Sequence, residues 1–462
     1  MRNPGIDYEG IPNSLASRAV EPGDPGYHRY TSSYLRGGAP GLVLRPQTPG
    51  ETQDAVRFAA AHRHVPLGIF SAGHGVSGRS LNHGGLVIDV GAINHVEPLG
   101  GGRVSVGPGA RWSDVARVLT PLGLAISSGD YGGVGVGGLA TAGGVGWFAR
   151  EHGLTIDHLR SIDVVTAGGV LVHASADENS DLFWAMRGAG ANFGIAVSFE
   201  FEAVPVGNVG FAQLTFAVAN VAGFIERWGA TIEAADRSVS GTALFTASRQ
   251  GGLTYVMASV VVDSDQPNTV VERLQPILEL DQIANQSVVL ASYGEVIGAF
   301  FEEGTIQQGR GEPHSRSAFV RHLDTETSEE IAALLASGAS QFFAVRSVGG
   351  AVADVAASDT AYGWRDANFS LVALGSPNSG IDQWWARLDP HFEGMYLSFE
   401  TDTSPESLAR AFPPAHLVRH RELKRRYDPS SLFRDNFYID PAGTDAPLGD
   451  TPSRETSSAD GH

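Results

Sequence analysis

The distribution of glycine constrains this chain more than any other feature. Fifty-eight of its 462 residues are glycine, and between Gly68 and Gly194 they recur in clusters separated by apolar runs. Glycine adopts positive φ and lets backbone amides approach a ligand closely, so such loops form nests for phosphate oxygens. We expect the two loops at 71–78 and 129–146 to clasp one extended pyrophosphate cofactor. The open alternative is that both loops are tight turns between packed strands.

The loop from Gly73 to Gly78 matches the G-x-G-x-x-G pattern of dinucleotide-binding proteins. That pattern requires a helix directly after it and an acidic residue at the end of the next strand. Asp89 ends a predicted strand, but the short intervening sequence contains RSLNHGG, which cannot form a full helix. A second match, which begins at Gly135, runs into further glycines. The context therefore argues against a nicotinamide cofactor bound in a Rossmann fold.

Composition excludes several classes of function. The chain has 32 basic and 51 acidic side chains and a net charge of −19, and such a field repels nucleic acids and anionic membranes. The absence of cysteine excludes disulfides, thiolate metal sites, iron–sulfur clusters and a thiol nucleophile. No run approaches the ~18 apolar residues of a membrane span, and the start, MRNPGIDYEGIPNS, lacks a signal-peptide pattern. We expect a cytoplasmic protein without nucleic-acid or membrane partners.

The first half of the chain reads as a mixed α+β lobe. Pro49 and Glu51 follow a Thr48 cap and give the signature of a capping box. The predicted elements are a helix after Thr48, strands at 65–70, 86–90 and from Val104, and a helix from Ser113. This order is not a regular βαβ repeat.

A hairpin and a long strand close the glycine-rich half. The hairpin begins at Ser161 and turns at Gly168 and Gly169. The strand after it has apolar residues at alternate positions, which we expect on one face: Ile195, Val197, Phe199 and Phe201. From about Val206 to about Pro414 the glycine clusters thin out, and predicted strands alternate with predicted helices. The length and this change in composition indicate more than one domain.

Four segments occur in an order that is typical of one enzyme family. They are IFSAGHGVSGRSLNHGGLVIDV, GDYGGVGVGGLATAGGVGWFAREHGLTIDHL, DENSDLFWAMRGAGANFGIAVSFEF and YDPSSLFRDNFYIDP. The chain resembles the flavoproteins of the vanillyl-alcohol-oxidase superfamily with a PCMH-type FAD-binding domain. Within that superfamily it is most similar to the berberine-bridge-enzyme-like branch and the bacterial 6-hydroxynicotine-oxidase type. In order, the segments resemble the pyrophosphate loop, the second glycine loop, the end of the FAD domain and a C-terminal return to the flavin.

The resemblance implies an α+β fold with three parts. A two-lobed PCMH-type FAD-binding domain would occupy residues 1–205, and an α/β substrate-binding domain with an antiparallel sheet would occupy 206–414. A segment at 415–442 would return to the FAD domain. The remaining residues, 443–462, lack a hydrophobic pattern and are expected to form a disordered tail.

The resemblance also implies covalent FAD. The family's attachment histidine corresponds to His74, whose neutral imidazole nitrogen would add to the activated 8α-methyl carbon of the isoalloxazine. Relatives with two covalent bonds add a cysteine at the position of Tyr131. Because this chain has no cysteine, attachment can only be monocovalent, and Tyr131 would pack against the dimethylbenzene edge. The alternative for His74 is a loop histidine satisfied by hydrogen bonds.

Further cofactor contacts follow from the same motifs. Val134 corresponds to the position that controls oxygen access to the flavin, where valine is compatible with an oxidase; a packed strand residue is the alternative. The residues predicted to line the cofactor are Phe70, Ser71, Ala72, Gly73, His74, Gly75, Val76, Ser77, Gly129, Asp130, Tyr131, Val134, Gly137, Gly138, Thr141, Gly143, Gly144, Gly194, Ile195, Asn436 and Tyr438.

Oxidation of a C–H bond by a flavin usually needs a base for the adjoining proton. The family places its base on the substrate-domain sheet or on the C-terminal return. Our candidates are Tyr438, which we prefer, and Tyr396 and Glu400; Tyr362 and Arg365 are further candidates. Relatives often carry Asn-Tyr where this chain has Ser398-Phe399, so the substrate is not implied.

Other catalytic constellations are weak. His416 and His420 are spaced i, i+4 on a predicted basic helix, but no third ligand follows at a sensible spacing. We therefore expect no metal site and interpret the pair as part of a solvated helical face. The G-x-S-x-G nucleophile elbow is absent.

The sequence thus predicts an FAD-dependent oxidoreductase, an oxidase reoxidised by O2. The substrate would be a small alcohol, amine, phenolic or sugar-like metabolite. The alternatives are a dehydrogenase that uses another electron acceptor, a flavin-binding protein without turnover, and a NAD-dependent dehydrogenase. The oligomeric state stays open.

Overall fold

The computed structural model describes residues 2–246, 252–299, 312 and 314–442. The expected disordered tail at 443–462 lies outside the described residues. The fold combines helices with mainly antiparallel sheets, and the predicted α+β class is confirmed. Within the described part of the chain, no helix has the length and apolar character that a membrane crossing needs.

The first lobe contains a small mixed sheet and one helix. Its elements are β1 (Ala19–Val20), β2 (Leu42–Leu44), α1 (Pro49–Ala61), β3 (Leu67–Phe70) and β4 (Leu86–Asp89). The strand order is β1-β2-β4-β3, with β2 and β3 parallel to β4. The predicted cap is confirmed, since the Thr48 side chain accepts a hydrogen bond from the Glu51 amide at 3.2 Å.

The second lobe is a five-stranded antiparallel sheet covered by helices. Its elements are β5 (Val96–Gly100), β6 (Arg103–Val106), α2 (Trp112–Leu119), β7 (Leu124–Ala125), α3 (Val136–Ala142), α4 (Ala149–His152), β8 (Leu159–Thr166), β9 (Leu171–Ser175), α5 (Ser180–Ala189), β10 (Gly194–Glu202) and β11 (Val204–Pro205). The strand order is β5-β6-β10-β8-β9, and β7 pairs with β11. The predicted hairpin is confirmed as β8 and β9, with Gly169 at a φ of +69° in its turn.

Strand β10 corrects one prediction. A register shift between Ala196 and Ser198 leads Ile195 to pair with Val165, whereas Phe199 pairs with Ile162. Ile195 and Val197 therefore pack with the first lobe, and Phe199 and Phe201 pack in the core of the second lobe. The four apolar residues do not share one face, because the bulge shifts the alternation of side chains between the two faces of the strand.

The rest of the chain builds a seven-stranded antiparallel sheet and its helices. Its elements are β12 (Asn208–Val218), α6 (Val221–Ala234), β13 (Val239–Thr246), β14 (Thr254–Val262), α7 (Pro267–Leu278), β15 (Ile283–Ser292), α8 (Tyr293–Gly298), β16 (His314–Val320), α9 (Thr325–Ser337), β17 (Phe342–Ser347), β18 (Phe369–Gly375), α10 (Ile381–Leu388), α11 (Pro405–Ala411) and α12 (Pro414–Tyr427). The strand order is β15-β12-β14-β13-β17-β18-β16.

The two faces of this large sheet have different partners. One face is buried under α6, α7, α9 and α10 in a core that includes Phe245 and Phe343. The other face turns toward the second lobe, where Phe211 of β12 lies against Trp147 with ring centroids 6.3 Å apart. Side chains that project from this face of the large sheet therefore point toward the glycine loops of the second lobe.

The C-terminal segment returns to the first two lobes and is held by one buried ammonium group. Lys424 is the only lysine of the sequence, and its side chain is fully buried in α12. Its Nζ donates to Asp428 Oδ2 at 2.8 Å, to the Asn192 carbonyl at 2.7 Å and to the Phe433 carbonyl at 2.8 Å. These three acceptors match the three donors of an ammonium group, which a planar guanidinium cannot reproduce.

We expect Lys424→Met to lower the free energy of unfolding by about 3–5 kcal/mol, because the Asp428 carboxylate would stay buried without its partner. Lys424→Arg should also destabilise the protein, since the larger planar group does not fit the three acceptors. Urea unfolding monitored by circular dichroism measures both. Arg425→Met, on the exposed side of the same helix, is the matched control. Equal stability of Lys424→Met and the control would contradict this assignment.

Candidate active site

The two glycine loops predicted from the sequence lie against each other. Residues 71–78 follow β3 as the first loop, and Gly135 of the second loop approaches it so closely that a Cβ there would overlap Ser71 Oγ and crowd Ala72. Ser71 Oγ donates to the Pro108 carbonyl at 2.7 Å. The two glycine loops therefore lie side by side, and we refer to the region that they border beside His74 as the cleft.

His74 lies at this cleft with two tyrosine rings beside it. Its ring centroid is 5.5 Å from that of Tyr34 and 5.4 Å from that of Tyr131. Burial, with a contribution from the Arg111 charge, lowers the pKa of His74 to about 4. The imidazole is therefore neutral near pH 7, which is the form that can act as a nucleophile. Tyr34 has no motif around it and was not found from the sequence.

Aromatic side chains of the large-sheet domain contact the second loop and stabilise its conformation. Gly143 and Gly144 have φ angles of +140° and +85°, which favour glycine. The Gly144 amide donates to the Tyr396 hydroxyl at 2.9 Å, and a Cβ on Gly143 would overlap the Tyr362 ring. The loop conformation is thus supported by residues of the large-sheet domain, more than two hundred positions later in the chain.

The residues present fit an FAD. Gly73 and Gly78 adopt φ angles of +74° and +66° in the first loop, so both loops have the backbone freedom that a pyrophosphate nest requires. A neutral histidine lies beside them. Asn436 of the C-terminal return reaches the first loop, with its Oδ1 3.5 Å from Ser77 Oγ.

Other predicted cofactor residues lie in regular structure. Thr141 is in α3 and donates to the Gly137 carbonyl at 2.8 Å. Val134 is half-buried against the core of the second lobe. Gly194 and Ile195 begin β10 and pack on β8, where a Cβ on Gly194 would overlap Val164. Their contact with a cofactor stays a prediction.

Glu400 is not available as a base, although the sequence nominated it. Its side chain is buried, and its oxygens accept hydrogen bonds from Arg316 and from three backbone amides, those of Ser317, Thr401 and Asp402. A carboxylate with this many donors is a structural group that holds β16 against the following loop.

The two tyrosine candidates are also engaged with the protein. The Tyr396 hydroxyl accepts the Gly144 amide, and burial raises its pKa. The Tyr438 hydroxyl pairs with the Ser431 hydroxyl at 2.9 Å, within the C-terminal return. Of the further candidates, Arg365 forms a buried ion pair with Asp157 at 2.9 Å. The Tyr362 hydroxyl is buried without a hydrogen-bond partner among the described residues, and burial raises the pKa of Tyr362.

An ion pair that sequence reasoning did not find joins the large sheet to the second glycine loop. Arg346 of β17 donates from Nε to Asp130 Oδ2 at 3.1 Å. Its guanidinium carbon lies 4.6 Å from the centroid of the Phe399 ring. Asp130 directly precedes Tyr131, so the pair lies next to the His74 cleft. Only the folding of one domain onto the other brings these residues together.

Comparison with known proteins identifies the family. Residues 40–175 match a family model described as an FAD binding domain. A xylooligosaccharide oxidase of Thermothelomyces thermophilus is 30% identical over 448 residues, which are 87% of this chain and 88% of that protein. The (R)-6-hydroxynicotine oxidase of Paenarthrobacter nicotinovorans is 26% identical over 475 residues, which are 94% of this chain and 98% of that protein.

A solved structure shares the whole fold. Glucooligosaccharide oxidase from Acremonium strictum, described with a 6-S-cysteinyl, 8α-N1-histidyl FAD, has a TM-score of 0.80 and 21% identity, and the match covers 93% of this chain and 98% of that one. This chain belongs to the FAD-linked oxidases of the vanillyl-alcohol-oxidase superfamily. It is an FAD-dependent oxidase that acts on a small molecule, as the sequence predicted.

The histidine pair on α12 corrects another prediction. In this FAD-linked oxidase His416 and His420 are buried and not solvated. Both ring nitrogens of His420 lack a hydrogen-bond partner among the described residues, and its ring packs against Phe412 and Trp184. The helix turns this side inward because Lys424, one turn further on, is also buried. The described residues contain no cluster of three or more metal-ligating side chains.

We expect His420 to make the oxidase sensitive to acid. Burial, with the nearby His416 and Arg419, lowers its pKa to about 3, whereas an unfolded histidine has a pKa near 6.5. The unfolded chain therefore binds the proton first, and stability is lost as the pH falls from about 6.5 toward about 3. His420→Phe should remove about 2 kcal/mol of the loss between pH 7.5 and pH 5.

Urea unfolding at the two pH values measures this difference. His28→Phe, at an exposed position, is the control and should keep the pH dependence of the parent protein. An unchanged pH dependence in His420→Phe would show that the buried ring does not resist protonation.

Proposed function

We propose that this oxidase holds FAD through a single covalent bond between His74 and the flavin 8α carbon, and that it passes the electrons of a small organic substrate to O2. The observation that carries the proposal is the neutral, half-buried His74 beside Tyr34 and Tyr131 where the two glycine loops meet. When bound, FAD accepts a hydride from a substrate carbon and is reoxidised by the acceptor.

The surroundings of His74 support one bond and not two. The glucooligosaccharide oxidase is described with both a cysteinyl and a histidyl link, whereas this chain has no cysteine. Tyr131, at the corresponding position, places an aromatic ring beside His74. Its role is to pack against the flavin edge and to fix the histidine, and the opposing Tyr34 ring limits the movement of the imidazole on the other side.

The substrate class follows less directly. The named relatives act on (R)-6-hydroxynicotine and on xylooligosaccharides, so an alcohol, amine, phenolic or sugar-like metabolite is proposed here. Oxygen as the acceptor, and a half-buried Val134 that leaves oxygen a path to the flavin, belong to the same proposal. The cytoplasmic location stays a prediction.

For His74→Ala we expect protein whose flavin separates on acid precipitation, because the only nucleophile proposed for the 8α carbon is gone. The parent protein should keep its yellow colour in the pellet. His173→Ala, at an exposed position, should behave like the parent. Colour that stays in the His74→Ala pellet would place the covalent bond at another residue.

Oxygen use is tested on the reduced enzyme. After stoichiometric reduction with dithionite, mixing with air-saturated buffer should restore the flavin spectrum and release one peroxide per flavin. A flavin that stays reduced in air but is reoxidised by a quinone or ferricyanide would favour the dehydrogenase alternative.

A further inference from the structure

The ion pair between Asp130 and Arg346 has features that a purely structural contact between two domains does not need. The Arg346 side chain is 14% exposed and that of Asp130 31% exposed, so both are withdrawn from bulk solvent without being sealed. The Phe399 ring supports the plane of the guanidinium. Such a pair is held in one orientation, and the Asp130 side chain keeps about a third of its surface accessible.

One hydrogen-bond donor of the Arg346 side chain does not take part in the ion pair. Arg346 Nη1 is buried and has no hydrogen-bond partner among the described residues. Arg346 pairs in register with Ser370 of β18 and with Thr242 of β13, and Ser370 Oγ is likewise buried without a partner in the described part of the chain. Unpartnered buried polar atoms are costly unless a ligand or water completes them. Two of them on adjacent strands mark this part of the sheet as a binding surface.

The position of the pair connects it to the flavin cleft. Asp130 is the neighbour of Tyr131, whose ring lies beside His74. The charges of Asp130 and Arg346 both act on Tyr34, the other ring beside His74. Asp130 therefore places a carboxylate, which is a proton acceptor, at the edge of the glycine loops beside His74.

We propose that Asp130 is the base that takes the hydroxyl proton of an alcohol substrate, and that Arg346 binds the same oxygen atom. The inference rests on the proposed flavin function and narrows its substrate class. A hydroxyl group donates one hydrogen bond and accepts others, so it can donate to Asp130 while it accepts from Arg346 Nη1.

The oxidation balances with the groups named. The O–H proton passes to Asp130, the hydrogen on the carbinol carbon leaves with two electrons for the FAD, and the C–O single bond becomes a carbonyl. The substrate loses two electrons and the FAD gains them. Negative charge grows on the oxygen as the proton leaves, and Arg346 stabilises that charge. Asp130 then returns its proton to solvent through its exposed edge.

An amine does not meet the same requirements. A protonated amine has no acceptor for Arg346 Nη1. A neutral amine accepts one hydrogen bond, but its oxidation gives an iminium cation, so no negative charge develops on the nitrogen for Arg346 to stabilise. Arg346 therefore assists the oxidation of an alcohol and not that of an amine. The Asp130–Arg346 pair therefore selects oxygen over nitrogen at the oxidised carbon.

The test uses the purified flavoprotein under anaerobic conditions with probes matched in shape. Benzyl alcohol and benzylamine form one pair, cinnamyl alcohol and cinnamylamine a second, and xylobiose provides a sugar hydroxyl. We expect at least one alcohol to bleach the flavin absorbance and neither amine to do so. Reduction by an amine and by no alcohol overturns the proposal. So does the failure of all probes to reduce a flavin that dithionite still reduces.

Two variants distinguish a role of the ion pair in the reaction from a role in holding the domains together. With an alcohol that reduces the parent enzyme, Asp130→Asn should slow flavin reduction by about 100-fold or more, with little change in the alcohol concentration that half-saturates the rate. Arg346→Gln, which keeps Asp130, should weaken alcohol binding by at least about 10-fold, as measured from the flavin spectral shift on titration. Asp354→Asn, which breaks an exposed aspartate–arginine pair with Arg237, is the control.

The outcomes distinguish this inference from the function on which it rests. A pair that only joins domains predicts a lower melting temperature in Asp130→Asn, with an unchanged reduction rate in the flavin-bound fraction, and that result overturns the proposal. If Asp130→Asn does not fold, unchanged alcohol binding in Arg346→Gln overturns it equally. A protein that binds no FAD contradicts the proposed function itself.

Discussion

The buried ammonium of Lys424 is the interaction on which the remaining architecture depends. It ties α12 to Asn192, which precedes β10, and to Phe433 in the C-terminal return. The Asp428 carboxylate balances the charge of Lys424 and also accepts hydrogen bonds from the amides of Leu432 and Phe433. This centre fixes the start of the segment that carries Asn436 to the first glycine loop. In a chain whose other basic side chains are all arginine, the one lysine occupies the site where three tetrahedral donors are needed.

The second organising contact is the approach of the two glycine loops. Gly135 allows it because any side chain would overlap Ser71, and Tyr396 supports the far side by accepting the Gly144 amide. A cleft made from two loops of one domain, supported by another domain, depends on the packing between them. Tyr396, which the sequence nominated for chemistry, is the buried acceptor on which the second loop rests.

The accuracy of the sequence-based predictions follows the range of the interactions. The cap at Thr48 and the turn at Gly169 depend on residues a few positions apart, and both were predicted. The bulge in β10 depends on pairing with β8, so the alternating apolar pattern misled the assignment of faces. His416 and His420 were expected in solvent because their neighbours are basic, yet the buried Lys424 turns that side of the helix inward. The ion pair of Asp130 and Arg346 spans two domains and leaves no local pattern.

By itself the sequence determined the family, the α+β class, the glycine loops and the candidate attachment residue. Each of these depends on contiguous residues whose conformational freedom or spacing is visible in one dimension. The tertiary structure decided that Asp130 pairs with Arg346 and that Tyr34 and Tyr131 lie beside His74. Those properties depend on desolvation and on contacts between residues far apart in the chain. Charge and burial at a site are set by everything that packs around it, so only the folded chain defines them.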